Sequence, residues 1–201
     1  MPHRVLVLGG YGVFGGGVSR RLVRDGFEVM VAGRSIERAE AFCRDLPGAV
    51  PCAVDRAADP AAALERHRPW AVVDAAGPFQ SSDQRLPQAC AEAGVHYVDL
   101  ADSPAFVSAA GLMDSAARSA GVSVRSGASS VPALSGAVVR DLAAGLDRAT
   151  AVEMSISASN QATVGPSVIS AILSYVGRPM RLWRGQRWTT GYGWQELRRE
   201  R

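Results

Sequence analysis

Short apolar runs and amphipathic segments alternate along the first three quarters of the chain. Continuous apolar runs predict buried strands, and apolar residues three or four positions apart predict helices. Phe14, Val18 and Leu22, for example, lie four residues apart and share one helix face. The predicted strands are residues 5–8, 28–32, 49–54, 70–75, 95–100 and 122–126. The predicted helices are residues 13–25, a helix that Ser35 N-caps, and residues 59–68, 82–93, 104–120 and 132–146.

This alternation indicates a parallel sheet covered by helices on both faces. Right-handed crossovers then give an α/β doubly wound sheet, which is the Rossmann architecture. The pattern changes in the last quarter of the chain. Residues 151–158 alternate as a strand, residues 167–176 predict a helix, and three of the four tryptophans lie in residues 181–194. We therefore expect a first domain over residues 1–148 and the beginning of a second, truncated α+β domain over residues 149–201.

Composition excludes several classes of protein. No apolar run in the 201 residues reaches the roughly 18 that a membrane span needs, and the N-terminal run is too short for a secretory signal. We therefore expect a cytoplasmic protein. Cys43, Cys52 and Cys90 form no C-x-x-C pair, and no metal-ligand spacing occurs, so neither a disulfide frame nor a metal site is expected. The net charge of +3 comes without a basic run, so no nucleic-acid or membrane partner is expected.

A glycine-rich turn follows the first predicted strand and opens the first predicted helix. Its spacing, Gly10-x-Gly12-x-x-Gly15, matches the dinucleotide fingerprint in the context that the fingerprint requires. Gly10 permits the tight turn, Gly12 lets a pyrophosphate approach the backbone, and Gly15 lets helix and strand pack closely. N–H groups at the helix start, with Val13 and Phe14 among the residues there, attract phosphate.

Other interpretations of this turn imply a different ligand or no ligand. A Gly9-x-x-Gly12-x-x-Gly15 parsing is typical of some extended short-chain reductases, and a flexible turn without a ligand is a third possibility. No Gly-Lys-Ser/Thr follows the glycines, which excludes an ATP P-loop.

The end of the second predicted strand decides between the two nicotinamide dinucleotides. An NAD site places Asp or Glu there to bind the ribose 2′-hydroxyl. This chain has Arg34 and Ser35 instead, and a guanidinium can bind a 2′-phosphate that a carboxylate would repel. The sequence therefore predicts NADP, with NAD as the second choice. Asp55, after the third strand, is placed either to contact the adenine edge or to serve as an ordinary turn or cap residue.

Further candidate residues follow the later strands, where ligands of a doubly wound sheet bind. Ala76, Gly77 and Pro78 end the fourth strand, and their small side chains let the backbone approach the nicotinamide half of a cofactor, although a plain turn uses similar residues. Four polar residues follow the fifth and sixth strands and are candidates for catalysis, although caps and turns use the same residue types. They are Asp99, Asp102, Ser129 and Ser130.

Five segments together resemble one known family. They are "VLVLGGYGVFGGGVSRRL", "VMVAGRS", "VVDAAGPFQ", "CAEAGVHYVDLAD" and "SGASSVPALSGAVV", and their order is that of saccharopine dehydrogenase-like oxidoreductases. The resemblance covers residues 4–145. It implies an NADP- or NAD-binding Rossmann domain followed by a mixed α/β domain that supplies dimer contacts and part of the substrate site. It also implies that residues 10–15, Arg34, Ser35 and residues 76–78 contact the cofactor.

Three functions are compatible with these features. The first is an NADP-dependent oxidoreductase that transfers hydride between NADP(H) and a small-molecule carbonyl, imine or enoyl substrate, as a homodimer in its full-length form. The second is a non-catalytic NAD(P)-binding regulatory or sensor protein. The third is a short-chain reductase, but the chain contains no lysine and so lacks the Tyr-x-x-x-Lys pair. We also expect this chain to be unstable or to self-associate, because Trp183, Trp188 and Trp194 have little chain to bury them.

Overall fold

The computed structural model describes residues 2–156 and 165–195. In it, all six strands that the apolar runs predict are present, each within two residues of the predicted bounds. They are β1 (Arg4–Leu8), β2 (Glu28–Gly33), β3 (Ala49–Ala53), β4 (Ala71–Asp74), β5 (His96–Asp99) and β6 (Val124–Arg125). All neighbours in this sheet pair in parallel, in the order β3-β2-β1-β4-β5-β6. The protein is therefore a doubly wound α/β protein of the Rossmann type.

Seven helices connect these strands or follow them. They are α1 (Val13–Arg24), α2 (Ile36–Arg44), α3 (Pro60–His67), α4 (Arg85–Glu92), α5 (Pro104–Ala109), α6 (Asp114–Ala120) and α7 (Ser135–Ala143). Ser35 caps α2 as predicted, because its side chain accepts a hydrogen bond from the Arg38 backbone N–H. None of the helices in the described part of the chain is long and apolar enough to cross a bilayer.

Two predicted helices differ most from the structure, and the helix predicted over residues 82–93 begins three residues later, at Arg85. The single helix over residues 104–120 is wrong: a 3₁₀ turn at Ala110–Met113 separates α5 from α6, and Gly111, a poor helix former, lies in it. The helix over residues 132–146 begins only at Ser135. A π-helical turn at Ser130–Leu134 precedes it, and Val131, the residue before Pro132, is extended within that turn (φ −129°, ψ 122°), as residues before a proline commonly are.

Alternating residues of each central strand face opposite layers of the core. Leu6 and Leu8 pack with the side that carries α3 and α4, whereas Val5 and Val7 pack with the side of α1 and α2. Because both faces are covered, β1 has four consecutive buried residues and forms a continuous apolar run in the sequence. Cys52 and Cys90 are buried in the first layer, and burial raises their pKa values to about 11 and about 12.

The chain divides into two compact units, Met1–Thr163 and Val164–Arg201. The described residues of the second unit form α8 (Pro166–Leu173) and an antiparallel hairpin of β7 (Pro179–Arg184) and β8 (Arg187–Tyr192). Trp183 and Trp188 face each other across the hairpin, with ring centroids 5.3 Å apart. The assignment of residues 149–201 to the beginning of a second domain stays a prediction.

The strand predicted at residues 151–158 is wrong over the residues that the structure describes. Residues 151–156 have no regular secondary structure, and Val152, Met154 and Ile156 are exposed. An alternating pattern forms a strand only when a neighbouring strand accepts and donates its backbone hydrogen bonds, and no strand in the described residues pairs with this segment. Residues 157 and 158 lie outside the described residues.

Candidate cofactor site

The centre of the sheet contains a topological switch point between β1 and β4. The chain winds outward from β1 through β2 to β3 and then returns to the other side of β1 as β4. Leu8 and Asp74 are register partners, so β1 and β4 end at the same level. The loops that follow them therefore leave the sheet side by side, at the edge where ligands of such sheets bind.

The glycines after β1 differ in what surrounds them. Gly9 has φ +68°, and a Cβ on Gly10 would lie 2.7 Å from the Val7 carbonyl oxygen. A Cβ on Gly15 would collide with the Gly9 carbonyl. Gly12, in contrast, has φ −78° and ψ 180°, and a Cβ there would meet only the Gly9 oxygen, at 3.0 Å. The backbone of Gly12 therefore lies open on its outer side, where a ligand can approach it.

The start of α1 offers unpaired backbone donors beside Gly12. The first helical hydrogen bond runs from the Gly16 N–H to the Gly12 carbonyl over 2.8 Å, which leaves the N–H groups of Val13, Phe14 and Gly15 without a helical partner. Gly12 caps the helix without a side chain, and the first turn contains no acidic residue. Donor groups at a helix N-terminus without a competing carboxylate favour a bound phosphate.

The end of β2 presents free positive charge. Arg34 is exposed and has no hydrogen bond or ion pair within the described residues. Ser35 is engaged locally: its hydroxyl donates to Glu37 Oε2 over 2.7 Å while it caps α2. The hydrogen bond from Ser35 lowers the pKa of Glu37. The Glu37 carboxylate is therefore an acidic group close to the position predicted for the 2′-phosphate.

Tyr11 joins the glycine loop to the end of β2 and was not predicted as a site residue. Its hydroxyl accepts a hydrogen bond from the Ser35 backbone N–H over 3.2 Å. Its ring lies against Gly33, where a Cβ would collide with it, and the Arg38 guanidinium lies 4.8 Å from the ring centroid. A tyrosine inside a glycine loop, followed later by a glycine at a strand end, is the sequence signal that could have indicated this contact.

Asp55 lies in the loop after β3 and forms a turn. Its Oδ1 accepts a hydrogen bond from the Ala57 backbone N–H over 2.9 Å, which is the turn role weighed against an adenine contact. Its side chain is exposed. Arg85, at the start of α4, donates to the carbonyls of Ala57 and Ala58 over 3.0 and 3.3 Å. The loop that carries Asp55 is therefore fastened to the neighbouring helix.

Asp74, the last residue of β4, is the centre of a buried polar cluster that the sequence pattern did not reveal. One carboxylate oxygen accepts from the Ala76 backbone N–H over 3.0 Å. The other accepts from Arg56 Nε over 2.5 Å and from the Tyr97 hydroxyl over 3.2 Å. An acidic residue at the end of an otherwise apolar strand is the available signal, since a buried carboxylate needs partners.

The charges in this cluster compensate one another. Burial raises the pKa of Asp74, and the Arg56 guanidinium acts in the opposite direction. Burial opposes the charge of Arg56, but the Asp74 carboxylate raises its pKa above the ordinary value. Burial also raises the pKa of Tyr97, so its phenol stays protonated and donates to Asp74. The structure thus holds an ion pair with a neutral donor beside it.

Residues 76–78 follow Asp74 in the chain and form the loop that faces the glycine turn. Ala75 donates its N–H to the Leu8 carbonyl over 3.0 Å, which ties the loop to the end of β1. Ala76, Gly77 and Pro78 are partly exposed, and a Cβ on Gly77 would find no atom closer than 3.6 Å. The structure therefore brings these residues and the Gly10–Gly15 turn side by side at the carboxyl edge of the sheet, where the ligand crevice of this fold type lies.

The four candidate catalytic residues have different surroundings. Asp99 is fully buried, and its Oδ1 accepts from the Ala101 and Gly127 backbone N–H groups, both over 2.9 Å, and from Ser126. Asp102 is exposed and accepts from the Gln80 amide over 2.9 Å. The Ser129 hydroxyl donates to the Val131 carbonyl, and Ser130 is exposed. Asp99 therefore joins two loops, and the catalytic role of all four residues stays a prediction.

The fold and the open glycine turn define a Rossmann-type dinucleotide-binding protein. The family model of the saccharopine dehydrogenase NADP-binding domain matches residues 5–129, which is more than half of the chain. The chain belongs to this family. None of the curated proteins matches the sequence significantly.

Solved structures share the fold at low sequence identity. A short-chain type dehydrogenase/reductase from Mycobacterium ulcerans superposes with a TM-score of 0.50 at 17% identity, over 62% of this chain and 66% of that one. A structure described as ribose-5-phosphate isomerase from Brucella melitensis 16M gives a TM-score of 0.50 at 21% identity, over the same shares of the two chains. This chain thus spans slightly less than two thirds of the length of either protein, and the likeness concerns the fold alone.

Proposed function

We propose that this protein is an NADP-dependent oxidoreductase of the saccharopine dehydrogenase-like type, which transfers hydride between NADP(H) and a small carbonyl, imine or enoyl substrate. The observation that carries the proposal is the accessible backbone of Gly12 at the N-terminus of α1. Beside it, at the end of β2, lies Arg34, which is exposed and has no partner among the described residues. The first feature suits a pyrophosphate, and the second suits a 2′-phosphate. Membership of an NADP-binding family supports the same cofactor.

The residues around the crevice fit the two halves of such a cofactor. Arg34 and the Ser35 segment would hold the adenosine phosphate, and Asp55 would lie near the adenine. Ala76, Gly77 and Pro78, beyond the end of β4, would lie near the nicotinamide, because their loop is small and close to the glycine turn. The nicotinamide would supply the hydride chemistry, while the protein would orient it and exclude water. NAD is the second choice.

The partners and the surroundings of the protein are part of the proposal. A small-molecule substrate would enter beside residues 76–78, where Asp102, Ser129 and Ser130 are the candidates for a proton donor. We expect a homodimer and a cytoplasmic location. Neither nucleic acid nor a membrane is expected as a partner.

A non-catalytic NAD(P)-binding regulatory protein is the alternative. The engagement of Asp99 in loop contacts and of Ser129 with the Val131 carbonyl favours it, because both groups serve the fold in this structure. A decrease in NADPH absorbance that depends on an added carbonyl, imine or enoyl compound would support the enzyme. Tight NADPH binding without turnover across these compound classes would support the regulatory protein.

Calorimetric titration with NADPH and NADH tests the cofactor preference. We expect NADPH to bind at least about tenfold more tightly, because the Arg34 guanidinium can form charge-assisted hydrogen bonds with the 2′-phosphate. Arg34→Ala should weaken NADPH binding by about tenfold and leave NADH binding nearly unchanged. Arg44→Ala, at the opposite end of α2, is the matched control and should change neither affinity. Tighter NADH binding, or an unchanged NADPH affinity in Arg34→Ala, would contradict the assignment.

A further inference from the structure

A side chain from the loop after β3 forms an ion pair with β4, a strand that does not neighbour β3 in the sheet. β2 and β1 lie between β3 and β4 in the sheet, yet Arg56 extends from the β3 loop to the end of β4 and binds Asp74 there. The Arg56 side chain is 14% exposed, and its guanidinium lies 5.4 Å from the Phe79 ring centroid and 5.7 Å from that of Phe106. The ion pair therefore links two loops across the width of the central strands.

Each partner of the pair is adjacent in sequence to a different part of the cofactor crevice. Asp55, the residue before Arg56, is placed for the adenine half. Asp74 holds the Ala76 N–H with its second oxygen, and Ala76 begins the loop placed for the nicotinamide half. One carboxylate thus fixes both loops, and a displacement of Arg56 would be transmitted to both sides of the crevice.

The cost of burying the Arg56 guanidinium indicates that this side chain does more than fill space. Its Nη2 nitrogen is buried without a hydrogen-bond partner in the part of the chain that the structure describes. A buried donor without an acceptor is destabilising, and an apolar side chain of similar length would contact Phe79 and Phe106 without that penalty. What the guanidinium provides instead is a directional bond to one carboxylate, and such a bond fixes geometry.

We propose that Arg56 is a positioning residue for the cofactor: its ion pair with Asp74 holds the Asp55 loop and the Ala76–Gly77–Pro78 loop in the arrangement that binds both halves of NADP(H). The inference rests on the proposed function. It assigns Arg56 no contact with the cofactor, since the side chain acts through Asp74 and through the loop that carries Asp55.

Comparison of a single variant with a double variant separates positioning from stability. Arg56→Met alone leaves the buried Asp74 charge without its partner, so the variant should unfold at a lower temperature. Arg56→Met combined with Asp74→Asn removes both charges, while the amide oxygen of the new side chain can still accept from the Ala76 N–H, so thermal stability should return close to that of the parent. NADPH affinity, measured by fluorescence titration where all variants are folded, should stay about tenfold weaker in both variants.

Two further variants complete the test. Arg56→Lys keeps a positive charge near Asp74 and should recover part of the lost affinity. Arg4→Met removes an arginine whose exposed partner, Glu28, lies at the opposite end of the sheet, and it should leave NADPH affinity unchanged.

The outcomes distinguish this inference from the proposed function. If the parent binds NADPH and the double variant recovers affinity together with stability, Arg56 is only structural and the inference is wrong. An unchanged affinity in Arg56→Met has the same meaning. A parent protein that binds neither NADPH nor NADH would overturn the proposed function itself, and the inference with it.

Discussion

Each glycine around the start of α1 has a different physical task. Gly9 needs its positive φ, and Gly15 lets the helix approach the Gly9 carbonyl. Gly16 lies 3.1 Å, measured from an ideal Cβ, from the Phe42 ring and is therefore a packing position. Gly17 has no atom within 4 Å of such a Cβ. Gly12 has an ordinary backbone conformation, lies at the N-terminus of α1, and offers a Cβ only one close neighbour, the Gly9 oxygen.

Alanine at Gly12 tests the phosphate-binding role directly. The φ and ψ of Gly12 suit alanine, and the added methyl group would meet only the Gly9 carbonyl oxygen, at 3.0 Å, so Gly12→Ala should fold with a small shift of that turn. The methyl group would also stand where we expect the pyrophosphate. We expect a loss of about 1–3 kcal/mol in NADPH binding free energy, measured by fluorescence titration, from charge-assisted hydrogen bonds that no longer form.

Gly17→Ala is the matched control in the same helix. It should leave NADPH affinity nearly intact and should raise stability by up to about 1 kcal/mol, because alanine is the better helix former. Circular dichroism on both variants verifies the fold. Parental affinity in Gly12→Ala would mean that this segment is only a turn and a helix start.

Local sequence signals predicted only part of the candidate site. The glycine turn and the Ser35 cap depend on spacing within a few residues, so the sequence could indicate them. Tyr11 and Ser35 are 24 residues apart, and Arg56 and Asp74 are 18 apart. Nothing in either local pattern shows which loop of the sheet meets which, so these contacts required the tertiary structure.

Among the helices, those with clear capping and terminating residues formed closest to the predicted bounds. Gly12 and Asp25 bracket α1, and Asp59 and Arg68 bracket α3 with Pro60 in its first turn. The predicted helix over residues 104–120 failed because its apolar spacing continues through the interruption at Gly111. The strand predicted at residues 151–158 failed for a different reason. Alternation of apolar and polar residues is a property of a single segment, whereas a strand also needs a neighbouring strand to pair with.

The cap of α3 gives a test at this scale. Asp59 Oδ1 accepts from the Ala62 backbone N–H over 3.1 Å, so Asp59→Ala leaves a helix donor without its partner. We expect the free energy of unfolding, from urea denaturation, to fall by about 1 kcal/mol. Glu65→Ala, on an exposed position of the same helix, should change it by less than about 0.5 kcal/mol. Equal effects of the two substitutions would exclude a capping role.

At the scale of the whole molecule, apolar surface is unevenly distributed. The sheet of the first unit is covered on both faces, whereas large apolar residues four positions apart are exposed along α7 and its flanks. They are Leu134, Val138, Leu142 and Leu146. In the second unit, Trp183, Trp188 and Trp194 are also more than half exposed. Exposed apolar surface of this kind favours association.

We therefore expect the chain to self-associate in a concentration-dependent way. Light scattering over a dilution series should give an apparent mass that rises with concentration. Leu142→Arg, at a position 74% exposed, should reduce this association because it places a charge in the middle of the apolar row. Leu112→Arg, at an exposed leucine outside that row, is the control and should have little effect. A monomer at every concentration would contradict the expectation.

The buried pair of Arg56 and Asp74 also restricts how this sequence can evolve. A substitution at either position alone leaves a charge inside the protein without its counterpart, and such an intermediate carries a heavy stability penalty. We therefore expect substitutions at the two sites to be correlated: a lineage that loses the acid at position 74 regains stability by losing the arginine at position 56 as well. The two positions should then be inherited together, although they are 18 residues apart in the chain.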